Sequence, residues 1–484
     1  MGVELDFRDI LTIGYYLLAI ATVVFVIQDN RSPHKTLSWI LVLITLPIIG
    51  LILYFYFGHN FRKEKLFEGK RKLDIKRISR IVQEQSLDLS QHVDKLGKAA
   101  KKIKVINLVL RNNKSRLTKN NRLTVLNDGI ETYTSLLRAL GTAKKHIHLE
   151  YYIFEEGEVA NKIKNILIKK VEEGVEVRLL YDSVGSWNLS EVFLDELKIA
   201  GIKTAESLPV QFPLFTSKIN YRNHRKIVII DGVTGYLGGI NISDKYLNID
   251  QDIGMPWRDT HLKIEGDSVK DLQLVFLTDW YFATRDFIED EDKYFPETNI
   301  EDSTIVQILA SGPDTDHKAV MNAYFTAITS AEKSICITTP YFMPNETILN
   351  ALKIASASGI NVKMIIPGIS DSTVVKLCSQ SYFEDLMESG IEIYQFHGGF
   401  IHSKTLLVDN LLASIGTANM DFRSFEQNME VNAFIYDKKV CKNLELQFQN
   451  DLMKSRKLGI RSWKKRKRII KISESFSRLF APLL

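Results

Sequence analysis

The chain has 484 residues, enough for more than one domain with a substantial core, and its formal charge of +5 is unevenly spread. Basic residues crowd into Arg62–Arg80, Lys98–Lys104 and Lys464–Lys471, which points to an anionic surface (nucleic acid or acidic lipid) or to solvated helix faces. Three widely spaced cysteines, Cys336, Cys378 and Cys441, exclude a disulfide framework and suit a reducing compartment.

In chain order, two uncharged stretches come first. Ile10–Ile27 would make a helix of about 27 Å and Thr36–Phe57 one of roughly 33 Å, against a hydrocarbon core of about 30 Å. Their flanks lack the basic start of a cleavable signal, so the expectation is a two-helix transmembrane hairpin over residues 1–58. Arg62, Lys63, Lys65, Lys70, Arg71 and Lys72 after the second stretch outweigh Arg31 and Lys35 in the connecting loop. By the positive-inside bias, this predicts a multi-pass protein of the cell membrane with its catalytic part cytoplasmic. Residues 59–121 read as a basic helical linker.

From there the chain repeats itself. "AKKHIHLEYYIF" (Ala143–Phe154) parallels "AEKSICITTPYF" (Ala331–Phe342), and "GVEVRLLY" (Gly174–Tyr181) parallels "GINVKMII" (Gly359–Ile366). Strand-length apolar runs alternate with helical patterns such as Ala160–Glu173, which predicts an α/β half with a parallel or mixed sheet flanked by helices, present twice. The halves are assigned to residues 122–300 and 301–455, with the acidic loop Asp290–Asp302 and Gly312-Pro313 at the seam. Whether Tyr151, Tyr152, Tyr341 and Phe342, which end the paired strands, line a cleft or fill the core is open. Within residues 456–484, "KKRKR" (Lys464–Arg468) is followed by Ile469, Ile472, Phe476, Leu479, Phe480 and Leu483 at helical spacing. That pattern predicts a basic amphipathic helix on a membrane surface or docked on the protein itself.

The sharpest signal is a motif present once per half. In "NHRKIVIIDGVTGYLGGIN" and "IHSKTLLVDNLLASIGTAN" a His is followed by Lys, Asp, Gly and Asn at the same four spacings. The candidate catalytic set is His224, Lys226 and Asp231 with His402, Lys404 and Asp409; Asn241 and Asn419 are candidate phosphate ligands. Residues two apart on a strand share a face, so each His points with its Lys. Asp231-Gly232 and Asp409-Asn410 are hairpin signals, and these aspartates are expected to fix the turn rather than touch substrate. Lysine supplies charge to phosphate oxygens, asparagine donates hydrogen bonds, and histidine attacks or moves protons. Two histidines facing one cleft around a pseudo-twofold axis would give phosphodiester exchange a nucleophile and a proton donor. An ordinary histidine pKa near 6.5 makes a neutral and protonated pair reachable with modest tuning. No metal or other cofactor is called for, and a protonated Lys beside each His is a poor zinc arrangement. Asp259 and Glu430 are candidate orienters of the imidazoles. His146, His148, His261 and His397 read as structural or rim residues.

The paired H-x-K-x4-D-x6-G-x2-N motifs resemble the phospholipase D superfamily, and "WRDTHLKIEG", "NMEVNAFIYD" and "LSWILVLITLPIIGLILYFYFG" resemble bacterial cardiolipin synthases. Gly239 and Thr417 stand where many superfamily members have Ser. The resemblance implies two phospholipase D-like half-domains and a transfer between two phosphatidylglycerol molecules that yields cardiolipin and glycerol through a phosphohistidine. It further implies His224 as nucleophile and His402 as acid and base, with anionic membrane lipids as partners and no nucleic acid. Another phospholipase D-type phosphatidyltransferase or hydrolase, or a phosphodiester nuclease, is the alternative. Oligomeric state is not legible.

Overall fold

The computed structural model describes residues 6–28, 33–46, 49–54, 85–86, 93–210, 220–247, 255–286, 288, 292–313 and 318–482. The chain divides into two compact units, 1–68 with 210–219, and 69–209 with 220–484. In the first unit, helices Phe7–Gln28, Pro33–Thr45 and Ile49–Leu53 pack around Val26, Leu43, Leu51 and Tyr54.

This unit overturns the expected anchor. Among the described residues no helix is long and apolar enough to cross a membrane. The second stretch is not one helix: Pro33–Thr45 ends after 13 residues, roughly 20 Å, just before Pro47, which lacks an N–H and disfavours helix at the residue preceding it. The first helix, Phe7–Gln28, opens on charged Arg8 and Asp9. The transmembrane hairpin is therefore withdrawn from the fold class, and with it the multi-pass localisation and the inward orientation built on it. Residues 55–84, which carry most of the basic flank, and Leu483 lie outside the described residues.

The second unit holds the duplication. Its first half contributes β1 (Asn121–Leu126), β2 (His146–Tyr151), β3 (Glu176–Asp182), β4 (Lys203–Ser207), β5 (Lys226–Ile230), β6 (Thr234–Gly238), β7 (Trp257–Arg258) and β8 (His261–Gly266). Its second half contributes β9 (Val306–Ser311), β10 (Ser334–Thr338), β11 (Phe342–Met343), β12 (Asn361–Pro367), β13 (Glu392–Phe396), β14 (Phe400–Ile401), β15 (Thr405–Val408), β16 (Leu412–Gly416), β17 (Met420–Asp421), β18 (Glu430–Ile435) and β19 (Ser455–Lys457). The sheet order β1-β8-β6-β5-β2-β3-β4 recurs as β9-β18-β16-β15-β10-β12-β13, with β19 added at the edge. Each sheet is mixed: β2, β3 and β4 run parallel, as do β10, β12 and β13, and the motif hairpins pair antiparallel.

Beyond Lys226 and Thr405, which open them, the motif strands β5 and β15 are apolar at every position because both of their faces are buried. Val228 and Ile230 of β5 face the core of their own half, whereas Ile227 and Ile229 meet Leu407, Ile415, Val431 and Ala433 of the other sheet. The two sheets thus share a layer of core, and this fixes the halves against each other. The helix Ile103–Asn113 buries Val105, Ile106, Val109 and Leu110 in the second half's core, and Lys102 at its start pairs with Asp409 at 2.5 Å. That member of the Lys98–Lys104 stretch is a buried structural ion.

The motif aspartates end the hairpins. Asp231 and Asp409 adopt φ of 54° and 56° in turns with a second positive-φ residue, Gly232 or Asn410. Asp231 accepts hydrogen bonds from the backbone N–H groups of Lys144, Lys145 and His146, and Asp409 from those of Glu332, Lys333 and Ser334. These lie seven residues of extended chain, roughly 23 Å, from the histidines. Asp231→Ala should lower folding stability by about 2 kcal/mol, read from the midpoint of a urea titration, because three donors lose a charged acceptor.

Candidate active site

The site forms where the halves trade backbone pairs. Asn223 bridges Met429 in parallel, and the His224 N–H donates to the Met429 carbonyl at 3.0 Å. On the opposite side β14 pairs in parallel with β7, and the His402 N–H donates to the Arg258 carbonyl at 2.7 Å. The next residue along each receiving segment is a carboxylate. Glu430 therefore meets His224 of the first half, with both carboxylate oxygens 3.0 Å from Nδ1, and Asp259 meets His402 of the second half at 2.7 Å. The orienting carboxylates are exchanged between the halves, which position along the chain does not reveal. A carboxylate only accepts, so Nδ1 of His224 carries the proton, and at His402 the 2.7 Å contact with Asp259 holds the same tautomer against Lys404, a second donor 2.9 Å away; each Nε2 keeps a lone pair.

The lysines lie beneath. Lys226 Nζ donates to the His224 carbonyl at 2.7 Å and sits 5.2 Å from the Tyr152 ring; Lys404 Nζ donates to the His402 carbonyl and lies 2.9 Å from its Nδ1. The asparagines differ. Asn241 is engaged at both ends, accepting from the Ile153 N–H at 3.2 Å and donating to the Tyr246 hydroxyl at 3.3 Å. The buried Oδ1 of Asn419 has no hydrogen-bond partner among the described residues.

Among the described residues, aromatic rings enclose the histidines unequally. Tyr152 stands 4.9 Å from His224, while Trp257, Phe400, Tyr246 and Tyr341 lie 5.2, 5.8, 6.2 and 6.3 Å from His402. Tyr152 and Tyr341 thus border the site, whereas Tyr151 and Phe342 fill the cores. Tyr246, Trp257 and Phe400 escaped the sequence reading, although Trp257 lies two residues before Asp259 and Phe400 two before His402. His146 and His148 share Gln273 in the interior, His261 is buried on β8, and His397 is exposed.

The second unit matches the family pattern described as cardiolipin synthase, PLD-like domain, over residues 136–280 and 324–452, and residues 17–59 match the phospholipase D-nuclease N-terminal pattern. The cardiolipin synthase of Alkalihalophilus pseudofirmus is 42% identical over 475 residues, 98% of this chain and 94% of that protein. The chain belongs to the cardiolipin synthase family of the phospholipase D superfamily. It is accordingly a phosphatidyltransferase of the phospholipase D type. The major cardiolipin synthase of Bacillus subtilis is 39% identical over 98% of this chain and 99% of its own length. The phosphatidylserine synthase structure from Haemophilus influenzae shares the fold, with a TM-score of 0.61 at 14% identity, over 79% of this chain and 100% of that one.

In this family member, burial dominates the electrostatics of the site. It lowers His224 to about 4, with Glu430 opposing and Lys226 and Lys404 assisting. Burial and Lys404, against Asp259, lower His402 to about 3. Both imidazoles are neutral at rest, a far larger departure from 6.5 than the modest tuning the sequence suggested. Burial also brings Lys226 down to about 7 and Lys404 to about 8, opposed by Glu430 and Asp259 respectively. Burial alone would raise the two carboxylates, but His224 and Lys226 outweigh it at Glu430, and Lys404 and His402 outweigh it at Asp259. Each lysine acts on the opposite half's histidine, so the four groups share one electrostatic environment.

The two positions where superfamily relatives carry Ser part company. Thr417 Oγ1 donates to Glu430 at 2.5 Å, whereas a Cβ on Gly239 would lie 2.2 Å from Asp259 Oδ1. Gly239→Ser should therefore push Asp259 off His402 and lower kcat by roughly tenfold. Thr417→Ser, which keeps the hydroxyl, should leave kcat within about twofold. Steady-state kinetics on the two variants checks both.

Proposed function

We propose that the chain joins two phosphatidylglycerol molecules into cardiolipin and glycerol through a phosphohistidine on His224. The observation that carries the reading is the pair of imidazoles, each held at Nδ1 by the other half's carboxylate above a buried lysine. His224 Nε2 attacks the phosphorus of the first lipid; the phosphorus–glycerol oxygen bond breaks, and His402 delivers a proton to the leaving glycerol oxygen. The terminal hydroxyl of the second lipid gives its proton back to His402 and attacks the phosphohistidine, which frees His224. One phosphodiester is broken and one made, so no energy-rich co-substrate enters. Lys226 and Lys404 neutralise the charge that spreads over the nonbridging oxygens.

Both imidazoles start neutral, so the proton on His402 is acquired with substrate. An anionic diester placed between the rings raises their proton affinity, and the acid is armed only when there is something to cleave. The test is mass spectrometry of the products made by purified enzyme from phosphatidylglycerol vesicles. Cardiolipin and glycerol in equal amounts are expected. Phosphatidic acid as the main product would make the protein a hydrolase, and cleavage of DNA in place of lipid would make it a nuclease.

A further inference from the structure

The C-terminal helix Arg468–Arg478 is mounted with its polar side inward. Glu474, Ser477 and Ala481 are buried. Glu474 takes Arg466 at 2.6 Å, and Arg466 lies flat on Trp463 at 3.8 Å. Lys471 reaches Glu384 at 3.4 Å, and Arg478 reaches Asp385 at 3.9 Å and covers the Tyr382 ring at 4.1 Å. The apolar stripe faces out instead: Ile469, Ile472, Phe476 and Leu479 are 65, 55, 61 and 72% exposed. A surface helix of a globular protein ordinarily turns its apolar stripe to the core. Here the ion pairs hold it the other way, and among the described residues nothing covers that stripe.

Two features say what covers it. Lys465, Lys467 and Arg468 are exposed at the start of the same helix, a cationic collar beside an apolar stripe, which is the chemistry of an anionic lipid interface. The helix is also tied to the reaction site in two places. Past its C-terminus, the Pro482 carbonyl accepts from the Gln427 side chain at 3.3 Å, three residues before Glu430. Along its length it packs on the helix Thr373–Gln380, which follows Asp371; that carboxylate holds the Tyr341 hydroxyl at 2.5 Å, and Tyr341 borders His402.

We propose that this helix lies in the surface of an anionic phospholipid bilayer, through Ile469, Ile472, Phe476 and Leu479, and sets the rim of the active site against that surface. The inference deepens the proposed function by naming where its substrate would arrive from, but its test requires no turnover. A bimane label is placed on Phe476→Cys in the full chain and titrated with phosphatidylcholine vesicles containing about a third phosphatidylglycerol. The expected result is a blue-shifted emission quenched by doxyl lipid, while the same label on Ile199→Cys, on an exposed first-half helix, stays silent. Adding Lys465→Gln, Lys467→Gln and Arg468→Gln should raise the half-saturating lipid concentration by at least about tenfold. A label at 476 as silent as that at 199 overturns the proposal. So does a shift that follows protein concentration without vesicles, which would make a second copy of the chain the occupant. A response indifferent to the three charge substitutions overturns the anionic preference.

Discussion

His224→Ala should lower phosphatidyl transfer by about 10⁴-fold or more and abolish an alkali-stable, acid-labile phosphoenzyme, the signature of phosphohistidine. His402→Ala should be equally slow with phosphatidylglycerol, because its glycerol leaving group needs a proton. With an aryl phosphodiester, whose leaving group departs unprotonated, His402→Ala should still form the phosphoenzyme and fail only to discharge it. Each substitution leaves a buried carboxylate, Glu430 or Asp259, without its imidazole, so folding is checked first by circular dichroism and a thermal melt. Rapid-quench labelling then separates the roles. Were label to survive in His224→Ala and vanish in His402→Ala, nucleophile and acid would have to be interchanged.

The second large effect is on pH. In the free enzyme the attacking ring must be neutral, and His224 is pulled down to about 4, so kcat/KM should fall as pH drops through about 4, not near 6.5. The alkaline side belongs first to His402, which at about 3 is neutral in the free enzyme and must gain a proton for the leaving glycerol, so kcat/KM should fall by up to tenfold per unit as pH rises above about 4. Lys226 at about 7 and Lys404 at about 8 lose their charge as pH rises through those values, and with it their hold on the phosphate, which steepens the fall there. A soluble short-chain phosphatidylglycerol keeps vesicle charge out of the measurement. The same burial acts on stability. Each histidine is lowered in the folded state relative to the unfolded chain, so its contribution is full above about 6.5 and lost as pH falls toward 4 and 3. An acid limb at 6.5 would mean that the imidazoles are far better hydrated than their surroundings imply.

Much of this was legible in the chain. The repeat gave the duplicated α/β halves, because β5 and β15 are apolar on both faces and can only be interior strands. The spacing of His, Lys, Asp and Asn gave the residues that gather, because period-two alternation aims His and Lys together. What stayed hidden is tertiary. Nothing in "WRDTH" or "NMEVN" says that each carboxylate serves the opposite half, since the short cross-half pairs that bring them there are only one or two residues long. Among the described residues the rings of Tyr246, Trp257 and Phe400 have no aromatic counterparts by His224, so the repeat could not flag them. Burial, which decides the protonation of both histidines, cannot be read from a motif. Hydropathy misled at Thr36–Phe57, where an average over the stretch passes across the break beside Pro47.

The crossed carboxylates make the tandem copies hostage to one another. Losses at Glu430 and His224 fall on the same ring and should not multiply, and the same holds for Asp259 with His402, although each couple is divided between the repeats. Neither copy could have decayed after the gene segment doubled without silencing its twin, and neither, cut free, would carry a working imidazole of its own.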